Sequence, residues 1–101
     1  MRQGEIWWAQ ADDKRRPVLI VTRDEAIPVL SRVIVAPVTR TVRSIPTEIP
    51  LGPADGLPVE CAASFDNLQP IARRFLGDRA GMLDPTRRHE ICAALDALAD
   101  C

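Results

Sequence analysis

Three short stretches of the sequence concentrate side chains that could hold an anion or move a proton. Arg15-Arg16 precedes Pro17, Thr39-Arg40-Thr41 is followed by Arg43, and Ser64-Phe65-Asp66-Asn67-Leu68-Gln69 mixes hydroxyl, carboxylate and amide groups. What is missing narrows the chemistry further. The sequence has no Gly-rich phosphate loop, no pair of histidines for acid–base work and no carboxylates at metal-ligand spacing. Its one histidine, His89, is flanked by Arg88 and Glu90 and is expected on the solvated face of a helix. Cys61, Cys92 and Cys101 are odd in number and fit no metal template. Cys92 and His89 at helical i, i+3 spacing supply only two ligands, too few for zinc. The thiols are read as free and buried or half-buried, and neither a metal nor a cofactor is expected.

Arginine and threonine can serve one demanding reaction without a metal. An RNA phosphodiester carries its own nucleophile, the adjacent 2′-OH, so a protein need only orient it, help move protons and stabilise the phosphorane. A guanidinium stays protonated and forks onto two phosphoryl oxygens, and a threonine hydroxyl adds a hydrogen bond. As a general base, an always-charged arginine is poor. Taken alone, Arg16 is accounted for at least as well by a surface ion pair with Asp12 or Asp13, and Thr39 by an ordinary strand-end turn.

Bringing these groups together requires particular elements. Nine prolines run from Pro17 to Pro85, and a proline inside a helix costs about 3 kcal/mol, so long helices have little room before residue 84. The pieces between are short and β-branched. Ile6-Trp7-Trp8-Ala9 reads as a first strand, residues 12–16 as a polar connection, and Pro17 to Thr22 as a strand buried on both faces. Ser31 to Thr39 is a third strand, Thr47 to Leu51 could pair beside it, and Gly52-Pro53-Ala54-Asp55-Gly56 is a turn. Pro58 to Leu68 and Arg74 to Leu83 read as further strands, the last interrupted by Gly77 and Gly81. Antiparallel pairing of the second and third strands would set Arg16 beside Thr39 at one rim of the sheet. Asp84 as N-cap, Pro85 at the first helical position, and Ile91, Ala94, Leu95 and Leu98 at helical spacing predict a closing amphipathic helix. The fold expected is mainly β with a C-terminal α-helix: one domain over 1–101, a barrel over about 4–83 and a helix over about 85–99.

Net charge is −1, from 13 basic and 14 acidic residues, and 12 of the 13 cations are arginine. That balance argues against non-specific coating of nucleic acid, but not against a local cationic groove. No apolar run approaches the roughly 18 residues needed to span a bilayer, and Met1-Arg2-Gln3-Gly4-Glu5 lacks signal-peptide layout. A cytoplasmic protein with no membrane association is expected. Trp7 and Trp8 face opposite ways on a strand, so at most one looks into the core. Core or dimer packing is the expected role of each, ahead of base stacking.

Four blocks in register, Gly4-Glu5-Ile6-Trp7, Arg16-Pro17-Val18-Leu19-Ile20-Val21, Val33-Ile34-Val35-Ala36-Pro37-Val38-Thr39 and Asp66-Asn67-Leu68-Gln69-Pro70-Ile71, resemble the MazF/PemK/Kid toxin family in order and spacing. Gly81-Met82-Leu83 and the closing helix extend the resemblance over nearly the whole chain. It implies an SH3-like β-barrel of the CcdB/PemK plasmid-maintenance toxin type, a homodimer, and sequence-specific, metal-independent cleavage of single-stranded RNA to a 2′,3′-cyclic phosphate. It also implies inhibition by a MazE-like antitoxin with an acidic segment. By position, Arg16 and Thr39 are the implied catalytic pair and Asp66, Asn67 and Gln69 the implied RNA-binding residues; Arg15 and Arg40, beside the pair, are expected to bind RNA with them. The sequence departs from the family pattern in its first loop, where Ala11-Asp12-Asp13-Lys14-Arg15 replaces a longer G-S-E-Q-like stretch. It departs also at Asn67, Gln69 and Gln3, where Gln, a basic residue and Arg are common. The short loop and Arg-rich composition are similar to the mycobacterial and actinobacterial branch. A CcdB-like toxin that binds gyrase without chemistry shares the fold but carries a Trp-Gly-Ile-type end, whereas this chain ends Leu98-Ala99-Asp100-Cys101. A non-catalytic SH3-like interaction module is the other alternative.

Overall fold

Short β-branched segments punctuated by proline and glycine form seven strands and one helix in the computed structural model, which describes residues 1–11 and 13–100. The strands are β1 (Glu5–Ala11), β2 (Lys14–Ile20), β3 (Arg32–Thr39), β4 (Glu48–Leu51), β5 (Cys61–Ser64), β6 (Gln69–Ala72) and β7 (Leu76–Met82), followed by α1 (His89–Ala99). They pair in the order β4-β5-β3-β2-β1-β7, with β6 also on β3. The sheet curls into a half-barrel closed by the helix, the mainly β fold expected.

The hub is β3. Its first half pairs with β6 (Arg32 with Ala72 through Val35 with Gln69), its middle with β2, and its last two residues with β5. Both faces of the curled sheet are covered. On one, Ile6, Leu19, Ala36, Ile49, Ala63, Phe65 and Leu83 pack with Ile91 and Ala94 of α1. On the other, Ala9, Val18, Ile20, Ile27, Val33, Val35 and Leu76 form a second cluster. Adjacent residues of β2 feed opposite clusters, which is why Val18-Leu19-Ile20 is an unbroken apolar run. Each fully buried aliphatic of this kind contributes about 1.5–3 kcal/mol.

Several expectations are revised by the pairing. The connection after β1 is two residues long, because Lys14, Arg15 and Arg16 already pair with Ala11, Gln10 and Ala9. Asp13 takes the left-handed conformation (φ 63°) that such a tight hairpin demands and that aspartate tolerates. β4 pairs with β5, not with β3. The stretch from Pro58 to Leu68 is not one strand: β5 ends at Ser64, and a 3₁₀ turn at Phe65–Asn67 leads into β6. Asp84 accepts a hydrogen bond from the Thr86 backbone N–H, but it caps a 3₁₀ turn at Pro85–Arg87, and the α-helix proper begins at His89. Gly81 is needed where β7 crosses the 53–55 turn, since a Cβ there would collide with the Asp55 carbonyl oxygen.

Candidate active site

The β2–β3 ladder places the rim residues. Val18 pairs with Pro37, Leu19 with Ala36 and Ile20 with Val35. Two residues further out on each strand, the same register brings Arg16 level with Thr39. There β3 has turned to its other neighbour, and Thr39 pairs with Ala62 of β5. The rim therefore lies between two cavities, and both residues line both. One, of about 350 Å³, is lined also by Trp8, Arg15, Pro17, Arg40 and the Leu57-Pro58-Val59 wall. The other, of about 430 Å³, is lined also by Arg43, Ser64, Asn67 and Gln69.

Strand alternation divides these groups. Arg15 and Pro17 follow the side of β2 that carries Leu19, whereas Arg16 follows that of Val18 and Ile20, which belong to the second cluster. Arg16 is exposed and, among the described residues, makes no side-chain hydrogen bond or ion pair. The ion pair expected as its alternative role does not form with Asp13, and Asp12 lies outside the described residues. The Thr39 hydroxyl oxygen accepts from the Thr41 N–H at 3.1 Å, which leaves its own hydrogen free to donate. Arg15 bonds to Asp78 at 3.1 Å and lies over the Trp8 ring, 4.8 Å from its centroid. Asn67 Nδ2 donates to Ser64 Oγ at 2.8 Å.

Of the residues singled out from sequence, Arg15, Arg16, Thr39 and Arg40 meet at the first cavity, and Arg16, Thr39, Asn67 and Gln69 at the second. Asp66 is not brought to either. Its Oδ2 accepts from the Thr47 hydroxyl at 2.6 Å, tying the start of β4 to the 3₁₀ turn. The sequence favours core or dimer packing for Trp8 and assigns no role to Ser64 or Arg43, and it gives no sign of the Leu57-Pro58-Val59 wall, yet all of these line the two cavities. Period-2 alternation marks Trp8 as sharing the face of Ile6, but only the curl of the sheet leaves it half-buried against a cavity. Trp7, also half-buried, packs on the second cluster and donates its indole N–H to Glu5 at 3.0 Å.

Cys92 and His89 line neither cavity. Cys61 is at the cavity wall, but burial, reinforced by Asp55 and opposed by Arg40, pushes its thiol pKa up. Cys92 is exposed, against the buried or half-buried expectation, and Cys101 lies outside the described residues. His89 is exposed on the helix, its Nδ1 3.0 Å from the Thr86 carbonyl. Among the described residues no group of three or more His, Cys, Asp or Glu side chains could hold a metal ion.

Comparison with known proteins gives a consistent set of likenesses. A family model described as PemK-like, MazF-like toxin of type II toxin–antitoxin system matches residues 2–99. A probable endoribonuclease MazF5 of Mycobacterium tuberculosis is 40% identical, over 98% of this chain and 93% of that protein. The solved structure of the Mycobacterium tuberculosis toxin MazF-mt6 superposes with a TM-score of 0.87 at 40% identity, covering 95% of this chain and 96% of that one. A mycobacterial endoribonuclease solved in complex with its cognate antitoxin superposes with a TM-score of 0.86 at 26% identity, covering 99% of this chain and 95% of that one.

Proposed function

The chain belongs to the PemK-like, MazF-like family of type II toxins, and we propose that it is a sequence-specific, metal-independent endoribonuclease whose catalytic pair is Arg16 and Thr39. The observation that carries this reading is the position of that pair: a cation without a partner among the described residues and a hydroxyl with a free hydrogen, at one rim between two cavities.

The reaction follows from what those groups can do. The 2′-OH oxygen of the nucleotide before the scissile bond attacks phosphorus, the P–O5′ bond breaks, and the products are a 2′,3′-cyclic phosphate and a 5′-hydroxyl. The proton lost from the 2′-OH is balanced by the one gained at the leaving 5′ oxygen. Arg16 forks onto the phosphoryl oxygens as charge accumulates, and Thr39 donates to one of them. Arg16 thus acts as phosphorane stabiliser and proton-relay partner, not as a free base. Arg15 and Arg40 hold neighbouring phosphates, and Asn67 and Gln69 present amides to base edges.

The same cationic cleft suits the acidic, partly disordered segment of a MazE-like antitoxin, which would block RNA by occupying it. We assign the chain to a cytoplasmic homodimer acting in growth control through translation. No helix among the described residues is long and apolar enough to cross a membrane.

Purified protein is expected to cut a long RNA at discrete sites in EDTA, leaving 3′ ends that a ligase requiring a 3′-hydroxyl cannot join until the terminal phosphate is removed. Random degradation, or cleavage that needs an added divalent ion, overturns the reading. Undiminished cleavage by folded Arg16→Ala or Thr39→Ala overturns the site.

A further inference from the structure

The connection between β3 and β4, residues 40–47, is exposed along most of its length yet is tied at one point to a buried acid. Glu48, the first residue of β4, has a side chain only 3% exposed. Its Oε1 accepts from the Arg43 N–H at 2.9 Å and the Ser44 N–H at 3.2 Å. Ser44 sits in the left-handed region (φ 54°), a conformation that serine adopts only when its surroundings hold it there. Oε2 is buried without a hydrogen bond, and the guanidinium of Arg43 stands 3.8 Å away as its counter-ion. Arg43 is itself 59% exposed and lines the cavity shared by Arg16 and Thr39.

These facts fit together in one way. A carboxylate removed from water is not screened, so its field acts on the nearest cation more strongly than a surface charge could. Here that cation is Arg43. One of its nitrogens faces the carboxylate, and the remaining donors of the fork have no acceptor among the described residues. The backbone N–H bonds hold the Arg43 main chain and the charge holds its side chain, so the guanidinium is preorganised at the cavity mouth.

We propose that Arg43 is a further substrate-phosphate contact of the cleft and that Glu48 is the positioning residue that holds it there. The proposal rests on the ribonuclease reading above. Arg43 grips a phosphate beside the scissile one, so it contributes to binding in ground and transition states alike.

The test uses wild type, Arg43→Ala, Glu48→Gln and the double variant, each checked for an unchanged thermal midpoint. Each is titrated over a range of salt with an RNA oligonucleotide that spans a mapped cleavage site and carries a 2′-deoxynucleotide at the scissile position. Single-turnover cleavage of the all-ribose oligonucleotide gives the rate at saturation. Arg43→Ala is expected to weaken binding about tenfold and to flatten the salt dependence by about one ionic contact, with the saturated rate changed less than about threefold. Glu48→Gln keeps an acceptor for the two N–H groups but removes the charge. It is expected to weaken binding in the wild-type background and not in the Arg43→Ala background. If Glu48→Gln does not fold, Arg43→Lys decides: it should restore the salt slope without restoring full affinity. An Arg43→Ala variant with wild-type affinity and salt slope overturns the proposal, as does an equal loss from Glu48→Gln in both backgrounds. A wild type that neither binds nor cuts RNA removes the ribonuclease reading itself, whereas one that does both beside an unaffected Arg43→Ala removes this proposal alone.

Discussion

Arginine does two different jobs in two regions of this molecule. Where α1 meets the sheet, Arg87 is held on several sides: it bonds to both oxygens of Glu90 at 2.7 and 2.9 Å and to the Pro50 carbonyl at 2.8 Å, and lies 3.6 Å from Asp55. Arg88 bonds nearby to Gln3 and Asp24. At the rim of β2 and β3, Arg16 has no internal partner among the described residues, and Arg43 has a single acid beyond hydrogen-bond reach. The first arrangement uses the planar fork to fasten helix to strand. The second leaves the same fork open for a ligand. A net charge of −1 conceals this, because the carboxylates neutralise the first group and leave the second exposed.

The sharpest way to break the contrast is at Arg16. Arg16→Ala should lower single-turnover cleavage by about a hundred- to a thousandfold, the size expected for one preorganised charge-stabilising donor, with the thermal midpoint unchanged. A large loss of stability would place Arg16 with the structural group. Arg87→Ala should do the converse. It leaves Glu90 and Asp55 without their cation and should cost about 2–3 kcal/mol in denaturant unfolding, while folded protein keeps its cleavage rate. Next in size is Thr39→Val, expected to slow cleavage about tenfold through loss of one hydrogen bond to a charged oxygen, with Thr39→Ser close to wild type.

The smallest effect is in pH. The hydrogen bonds from Arg87 hold the Glu90 carboxyl below its usual value against the opposing effect of burial. Burial pushes the Glu5 carboxyl up, but the Trp7 indole, the Arg2 N–H and Arg79 together outweigh it and lower its pKa. A lowered folded-state pKa means that the unfolded chain takes up protons first as pH falls. The stabilisation is therefore complete above the ordinary glutamate value of 4.5 and is lost as pH drops through the lower folded values. Glu90→Gln should flatten the acid limb of a stability–pH curve. An unchanged slope would show that the Arg87 cluster is not coupled to folding.

How far the chain could be read in advance differs by element. The apolar half of β2, β3 and the helical face of Ile91, Ala94 and Leu95 are plain, because unbroken or regularly spaced apolar residues mark them locally, whereas the polar start of β2 reads as a loop. The segment from Pro58 to Leu68 is not plain. The break at Phe65–Asn67 exists because Phe65 is drawn into the core beside Ile49 and Ile91, partners distant in sequence. The partner of β4 was misjudged for the same reason: its alternation shows that it pairs, not with which strand. At the site, Arg16 and Thr39 could be matched by assuming one antiparallel pair, whereas the Leu57-Pro58-Val59 wall depends on how a remote loop returns to the rim, and the place of Arg43, only four residues from Thr39, on the irregular course of the loop after β3.

The mainly β fold with its C-terminal helix, the family to which the chain belongs and the two residues proposed for catalysis are legible in the amino-acid order alone. These depend on local pattern, on proline and glycine placement, and on blocks of residues in register. Which arginines are fastened and which are open, that Asp66 braces a turn while Trp8 faces a cavity, and that buried Glu48 stands behind Arg43 emerge with the folded chain. Those outcomes depend on which side chains the fold buries and brings together, from distant segments or, as for Glu48 and Arg43, from a few residues away, so the energy of a side chain is set by its neighbours in space.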